Sequence, residues 1–102
     1  GMTETQMGMG LGPWALEPLK ARLSPQLWVP SIVQARVYDP DGAVAAGFLD
    51  EVLEPGQAIG RACELATGFA ALPAKAYGMN KLCTREESIA IMKADLDGLA
   101  KA

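Results

Sequence analysis

The sequence predicts a mainly α chain with at most one or two short strands. Three observations carry that expectation. Apolar residues recur at helical spacing from Pro55 to Leu72 and again from Ile89 to Leu99. Pro13, Pro25, Pro40 and Pro73 stand where helices start or stop. A single segment, Phe48 to Leu53, reads as a strand: it is short, apolar at both ends and bounded by Gly47 and Pro55.

In chain order, residues 1–13 hold Gly1, Gly8, Gly10, Gly12 and Pro13, and read as extended chain and loop. A short helix follows with Pro13 near its first position. Trp14, Leu16, Leu19 and Leu23 form its apolar face, and Lys20 and Arg22 complement the dipole at its end. Pro18 removes a hydrogen bond inside that helix, so a kink or a broken start is expected. Ser24-Pro25 reads as an N-cap with proline at the first helical position, and Leu27, Trp28, Ile32 and Ala35 follow at helical spacing. Pro30 limits the regularity of that segment. Asp39-Pro40-Asp41-Gly42 is a turn or the capped start of a short helix, which Gly47 would end in a left-handed conformation.

From Pro55 to Leu72, the residues Ile59, Ala62, Cys63, Ala66, Phe69 and Ala70 share one helix face, expected to be buried. Pro73 stops this helix and opens a segment through Ala74, Tyr77 and Leu82. Thr84-Arg85-Glu86-Glu87 has the form of a capping box, so a last helix is expected from there, with Ile89, Met92, Leu96 and Leu99 facing inward. The chain divides in this reading into residues 1–54 and a helical segment, 55–102.

Composition excludes several classes of function. The 102 residues allow one small domain. The net charge of −3 gives no footprint for nucleic acid. No apolar run is long enough to span a membrane. The chain has no histidine, which removes Ser-His-Asp and Cys-His catalysis and His-ligated zinc. No metal site is expected. Cys63 and Cys83 lack CxxC partners, so zinc-ribbon and thioredoxin motifs are excluded. They are read as buried reduced thiols, with a disulfide between them left open. The N-terminus has no basic segment followed by a long apolar core, so a cytoplasmic location is expected.

Few residues suggest chemistry. Glu4 lies in a loop rich in glycine and methionine, a setting that can desolvate a carboxylate as acid/base work requires. The alternative is an ordinary solvated Glu near a frayed terminus. Gly8-x-Gly10-x-Gly12 lacks the strand before it and the Lys-Ser/Thr after it that a phosphate loop needs. Tyr77 and Lys81 share a helix face at i, i+4, which places a lysine where it can meet a phosphate or simply water. Asp50-Glu51 reads as the exposed side of the strand, and Trp14 and Trp28 as core or subunit-contact residues.

Several runs, taken in order, resemble one family. Ala43-Val44-Ala45-Ala46-Gly47-Phe48-Leu49-Asp50-Glu51-Val52-Leu53, preceded by Tyr38-Asp39-Pro40-Asp41-Gly42, resembles a segment of the crotonase family, the enoyl-CoA hydratases and isomerases. Arg22-Leu23-Ser24-Pro25 resembles the family's R-L-S-P helix entry. Ala62…Ala66…Ala70-Ala71-Leu72-Pro73-Ala74…Lys81-Leu82 and Gly1-Met2-Thr3-Glu4-Thr5-Gln6-Met7-Gly8-Met9 are similar to further family runs. The resemblance covers nearly the whole chain but only the family's C-terminal part.

It implies the helical C-terminal portion of the crotonase (ClpP/crotonase-like) fold. It implies that Glu4 matches the carboxylate that moves a proton at the carbon next to a thioester carbonyl. It implies that Lys81 matches a lysine near the coenzyme A phosphates, and that 55–102 builds an oligomer contact, dimer or trimer. No cofactor is implied besides the coenzyme A thioester as substrate. The family's backbone N–H donors for the thioester oxyanion lie upstream of anything this chain matches. Met9-Gly10-Leu11-Gly12-Pro13-Trp14 also departs from the "P-G-A-G-G" loop of typical hydratases. Two readings therefore stand: an acyl-CoA hydratase or isomerase represented by a partial chain, or a catalytically inactive helical self-association module from a truncated reading frame.

Overall fold

The computed structural model describes residues 1–101. Four α-helices follow one another: α1 (Pro13–Arg22), α2 (Pro40–Ala46), α3 (Ala58–Ala70) and α4 (Ala74–Lys101). Among the described residues there is no strand. Short 3-10 turns at Glu4–Met7 and Pro25–Leu27 and one π-helical turn at Val29–Val33 complete the order. Two compact units are present: residues 1–52 together with 88–102, and residues 53–87.

In the first unit, α1 begins as the sequence indicates, with Pro13 at its first position, and it runs without a break through Pro18. Ser24 stands at the N-cap of the following turn, but its side chain makes no capping bond. Its carbonyl instead accepts from Leu27 N–H at 2.8 Å. The helix expected from Ser24 is a 3-10 turn that passes into the π turn, where Pro30 has no N–H to give to a regular ladder. Asp39 caps α2, its Oδ1 accepting from Gly42 N–H at 2.7 Å. Gly47 ends that helix at φ 105°.

The strand expected over 48–53 does not form. The N–H groups of Gly47 and Phe48 donate to the Ala43 carbonyl, at 3.1 and 2.9 Å, as the end of α2. A lone strand has no ladder to join, so the apolar ends of this run cannot hold it extended.

The interior of this unit is small. Leu23, Ala35 and Ala46 are buried, together with Ser31, whose Oγ lies 2.7 Å from the Tyr38 hydroxyl. Small residues let backbones approach closely. Ser24 N–H donates to the Ala46 carbonyl at 3.2 Å. A Cβ at Gly47 would collide with the Arg22 carbonyl oxygen. Around this junction Arg22 donates from Nε to the Gly47 carbonyl at 3.1 Å and pairs with Asp50 at 2.9 Å. The Tyr38 and Phe48 rings meet tilted at 53° with centroids 5.8 Å apart, and Lys20 sits 5.0 Å over the Trp28 ring, whose Nε1–H donates to the Leu23 carbonyl. Trp28 is thus half-buried, whereas Trp14 is 47% exposed.

The C-terminal half of α4 belongs to this unit, and its inward face differs from the expected one. Ser88, Met92 and Asp95 are half-buried at i, i+4 and i+7, while Ile89, Leu96 and Leu99 are exposed. Polar partners decide this register. Ser88 Oγ donates to Glu17 Oε2 at 2.9 Å, and Asp95 Oδ2 accepts from Trp14 N–H at 3.0 Å.

The second unit is a helical hairpin of α3 and the start of α4, turned at Ala71–Pro73. α3 starts at Ala58 rather than Pro55, because Pro55–Gly56 forms a turn with Gly56 at φ 83°. The face assigned to burial is not buried within the chain: Ile59 is 80% and Phe69 52% exposed, and Cys63 is an exposed free thiol. Cys83 is likewise exposed and free. Within 53–87 only Arg61 and Leu65 are half-buried; every other residue is exposed. The capping box does not form either. Thr84 lies inside the uninterrupted α4, and its Oγ1 donates back to the Lys81 carbonyl at 2.8 Å.

Two stability measurements check this account. Gly47→Ala places a Cβ at a left-handed φ and against a carbonyl, so a loss of about 1–3 kcal/mol is expected in urea unfolding followed by circular dichroism. Phe69→Asp is expected to shift stability by no more than about 0.5 kcal/mol in the same assay, the range of a surface substitution. A larger loss at a protein concentration where light scattering finds monomer would show that the exposed face packs within the chain.

Candidate functional site

Glu4 sits on the first 3-10 turn, Glu4–Met7, where the sequence indicated loop. Gly8 closes the turn at φ 70°, and Met9 N–H donates to the Glu4 carbonyl at 2.9 Å. Glycine is required at that closure because the left-handed conformation strains a residue with a Cβ. The turn is tied to the π turn by Thr5 Oγ1, which donates to the Ile32 carbonyl at 3.3 Å. Gly1 lies against the backbone of Arg36 and Val37, where an added Cβ would fall 2.9 Å from the Arg36 carbonyl oxygen. Glu4 is therefore carried on a turn held at both ends, not on a frayed terminus.

The Glu4 side chain is half-buried, and its Oε2 is buried without a hydrogen-bond partner among the described residues. Buried carboxylate oxygens in folded proteins are paired in the great majority of cases. An unpartnered one on an anchored turn is available to accept a proton or a hydrogen bond from something outside the chain.

The glycine run 8–12 leads from this turn into α1. Gly12, at the N-cap of α1, has no side chain to satisfy the first-turn N–H groups. Asp95 supplies the missing acceptor from α4 through its bond to Trp14 N–H. Its charge also suits the positive end of the helix dipole. A Cβ at Gly12 would fall 3.0 Å from Asp95 Oδ2, so glycine leaves room for this carboxylate. The loop after Glu4 is thereby fixed at its far end by a residue more than eighty positions away. Sequence reasoning missed Asp95, because local spacing carries no sign of a cap supplied from another helix.

Lys81 lies in the second unit, exposed, in an open groove of about 520 Å³ lined in part by Leu72, Tyr77, Asn80, Lys81, Thr84 and Arg85. No carboxylate lines it. Tyr77 and Lys81 do share a side of α4, as their spacing indicated, and Arg85 continues that row at the next i+4 step. Arg85 was obscured in the sequence because Thr84 reads as a helix start, which assigns the two cations to separate helices. Glu4 and Lys81 belong to different units. No cluster of metal-ligating side chains is present among the described residues, and no helix is long and apolar enough to cross a membrane.

No family model matches the chain, and no curated relative does. Solved structures match it closely. An enoyl-CoA hydratase from Mycobacterium marinum is 34% identical at a TM-score of 0.87, over 97% of this chain and 44% of that one. An enoyl-CoA isomerase from Mycobacterium tuberculosis is 33% identical at 0.88, again over 97% and 44%. An enoyl-CoA hydratase/isomerase family protein from Pseudomonas syringae is 30% identical at 0.86, over 96% and 43%. The fold is thus that of the helical C-terminal portion of crotonase-fold proteins. This chain belongs to the crotonase family as its C-terminal part, and it spans less than half the length of the proteins it matches.

The anchoring of the Glu4 loop is open to a direct check. Asp95→Ala removes the acceptor at the α1 N-terminus, so a loss of about 1 kcal/mol is expected in urea unfolding. Asp95→Asn keeps an acceptor and is expected to recover most of it.

Proposed function

We propose that the chain contributes to an enzyme of enoyl-CoA hydratase/isomerase type acting on acyl-CoA thioesters, with Glu4 as the proton shuttle. The observation that carries this reading is the buried, unpartnered Oε2 of Glu4, held on a tethered turn at the position that resembles the family's proton-transferring carboxylate. In the proposed chemistry Glu4 takes or gives a proton at the carbon next to the thioester carbonyl. The thioester oxygen gains charge as an enolate forms, and preorganised donors there are worth roughly 2.7–4 kcal/mol each. Those donors belong to the part of the family's fold that this chain does not span. Lys81 is proposed as a contact for the phosphates of coenzyme A, as a point charge. No further cofactor and no nucleic acid is part of the proposal, and the cytoplasm is the proposed location.

A second reading is favoured by a separate observation. Residues 53–87 leave Ile59, Phe69, Leu72, Tyr77, Met79 and Leu82 exposed. So much apolar surface on one hairpin suits a cover by another chain. Association into a dimer or trimer is proposed under both readings. In the second, it is the whole function, and the chain is a helical self-association module without catalysis.

Hydration of crotonyl-CoA, followed by absorbance with host hydratase rigorously removed, separates them. Because the oxyanion donors lie outside this chain, no turnover is expected of the 102 residues alone. Turnover that appears when the N-terminal portion of a matched hydratase is supplied, and that disappears in Glu4→Gln, is the result expected of the proton shuttle. Absence of turnover in that complemented assay, with dimers or trimers in light scattering, would leave the self-association module.

A further inference from the structure

We infer that Asp95 and Glu17 are positioning residues for the Glu4 chemistry. Through them the C-terminal half of α4 clamps α1 at two points and keeps the loop from Met9 to Gly12 ordered beside the carboxylate. The inference rests on the proton-shuttle reading above and adds to it the residues that hold the shuttle's surroundings in place.

Three observations carry it. Apolar packing does not fix α1, because no residue of that helix is buried. Its C-terminal end runs into the Gly47 junction, but at its N-terminal end Pro13 and Trp14 are both exposed.

The second observation is the pair of polar bonds between α4 and α1. Ser88 Oγ donates to Glu17 Oε2 at 2.9 Å, and Asp95 Oδ2 accepts from Trp14 N–H at 3.0 Å. The two points on α4 are two turns apart, about 10 Å along its axis, and those on α1 are about one turn apart. A single bond leaves a helix free to pivot about it. Two separated bonds fix both its rotation and its advance along the partner. Glu17, Ser88 and Asp95 are all half-buried, so water competes less for these bonds than it would at exposed positions.

The third observation is that the loop has no hold of its own. Gly8, Gly10 and Gly12 give it wide conformational freedom. A Cβ at Gly8 or Gly10 would meet nothing within 4 Å. Its order is imposed from its two ends. Met9 N–H is bound to the Glu4 carbonyl at one, and α1 is held by α4 at the other. A proton-transferring group has to be held within about 0.5 Å of its productive place. Loop order therefore governs how often Glu4 is presented correctly, and not how tightly a thioester binds.

The test has two readouts. In the whole chain, amide hydrogen exchange is followed by NMR at Met9 and at Phe48, whose N–H is bound to the Ala43 carbonyl in the same unit. Asp95→Ala and Glu17→Ala are each expected to speed exchange at Met9 roughly 5-fold and to leave Phe48 unchanged. In the complemented hydration assay, each is expected to lower kcat roughly 10-fold with KM within about two-fold. Asp95→Asn and Glu17→Gln keep an acceptor and are expected to restore both readouts. Asp97→Ala makes the same charge change at an exposed position of α4 and serves as the control. The double alanine variant is expected to be little worse than Asp95→Ala alone, since loss of either point frees the pivot. The inference is overturned if Asp95→Ala behaves as Asp97→Ala does, if Met9 and Phe48 speed up together, if KM moves instead of kcat, or if the two single effects on kcat multiply. The shuttle reading fails separately. Glu4-dependent turnover insensitive to Asp95→Ala would remove the clamp alone. Met9 protection that depends on Asp95, without turnover in the complemented assay, would keep the clamp and remove the catalytic reading.

Discussion

The close approach of the chain at Gly47 to the end of α1 is the constraint on which the first unit depends. Backbone meets backbone there: Ser24 donates to the Ala46 carbonyl, and Gly47 passes the Arg22 carbonyl without room for a Cβ. Two of the buried residues, Ala46 and Leu23, lie at this junction, while Ser31 and Ala35 lie on and just after the π turn. A core of such small residues contributes little apolar area, so geometry and hydrogen bonds carry much of the specification. Arg22 reinforces the junction by reaching both the Gly47 carbonyl and Asp50, although its exposed ion pair adds little by itself.

The Glu4 turn depends on the same framework at one remove. The π turn presents the Ile32 carbonyl, which no regular helical ladder consumes, and Thr5 takes it. Asp95 closes the other end of the loop by capping α1. The carboxylate of Glu4 is thus positioned by two tethers, neither of which touches it. That arrangement suits a group whose free oxygen must meet something external. The cost of a buried, unpaired acceptor is tolerable where a partner from outside will complete it.

The second unit obeys a different logic. Its hairpin has helix-forming sequence and a strong apolar stripe, yet the stripe lies open. Helical periodicity reports which residues are meant to leave water, not what covers them. The same hairpin carries Lys81 and Arg85 unopposed on α4. Both features, an uncovered apolar face and two cations in one groove, set this hairpin apart from the first unit.

The amino-acid sequence by itself determined the helical class, the proline-set starts of α1 and α2, the glycine closure at Gly47 and the family resemblance. It also singled out Glu4 and Lys81. These are local matters of capping, left-handed conformation and ordered motif, and neighbours along the chain decide them. Only the tertiary structure decided the rest. Phe48 to Leu53 stays unpaired because no strand lies beside it. Thr84 is absorbed into a 28-residue helix because nothing interrupts the turns on either side. The inward face of α4 is Ser88, Met92 and Asp95 because Glu17 and the α1 N-terminus offer partners there. The buried oxygen of Glu4 belongs to the same class. Burial and long-range hydrogen bonds depend on which surfaces meet, and periodicity along a sequence holds no record of that.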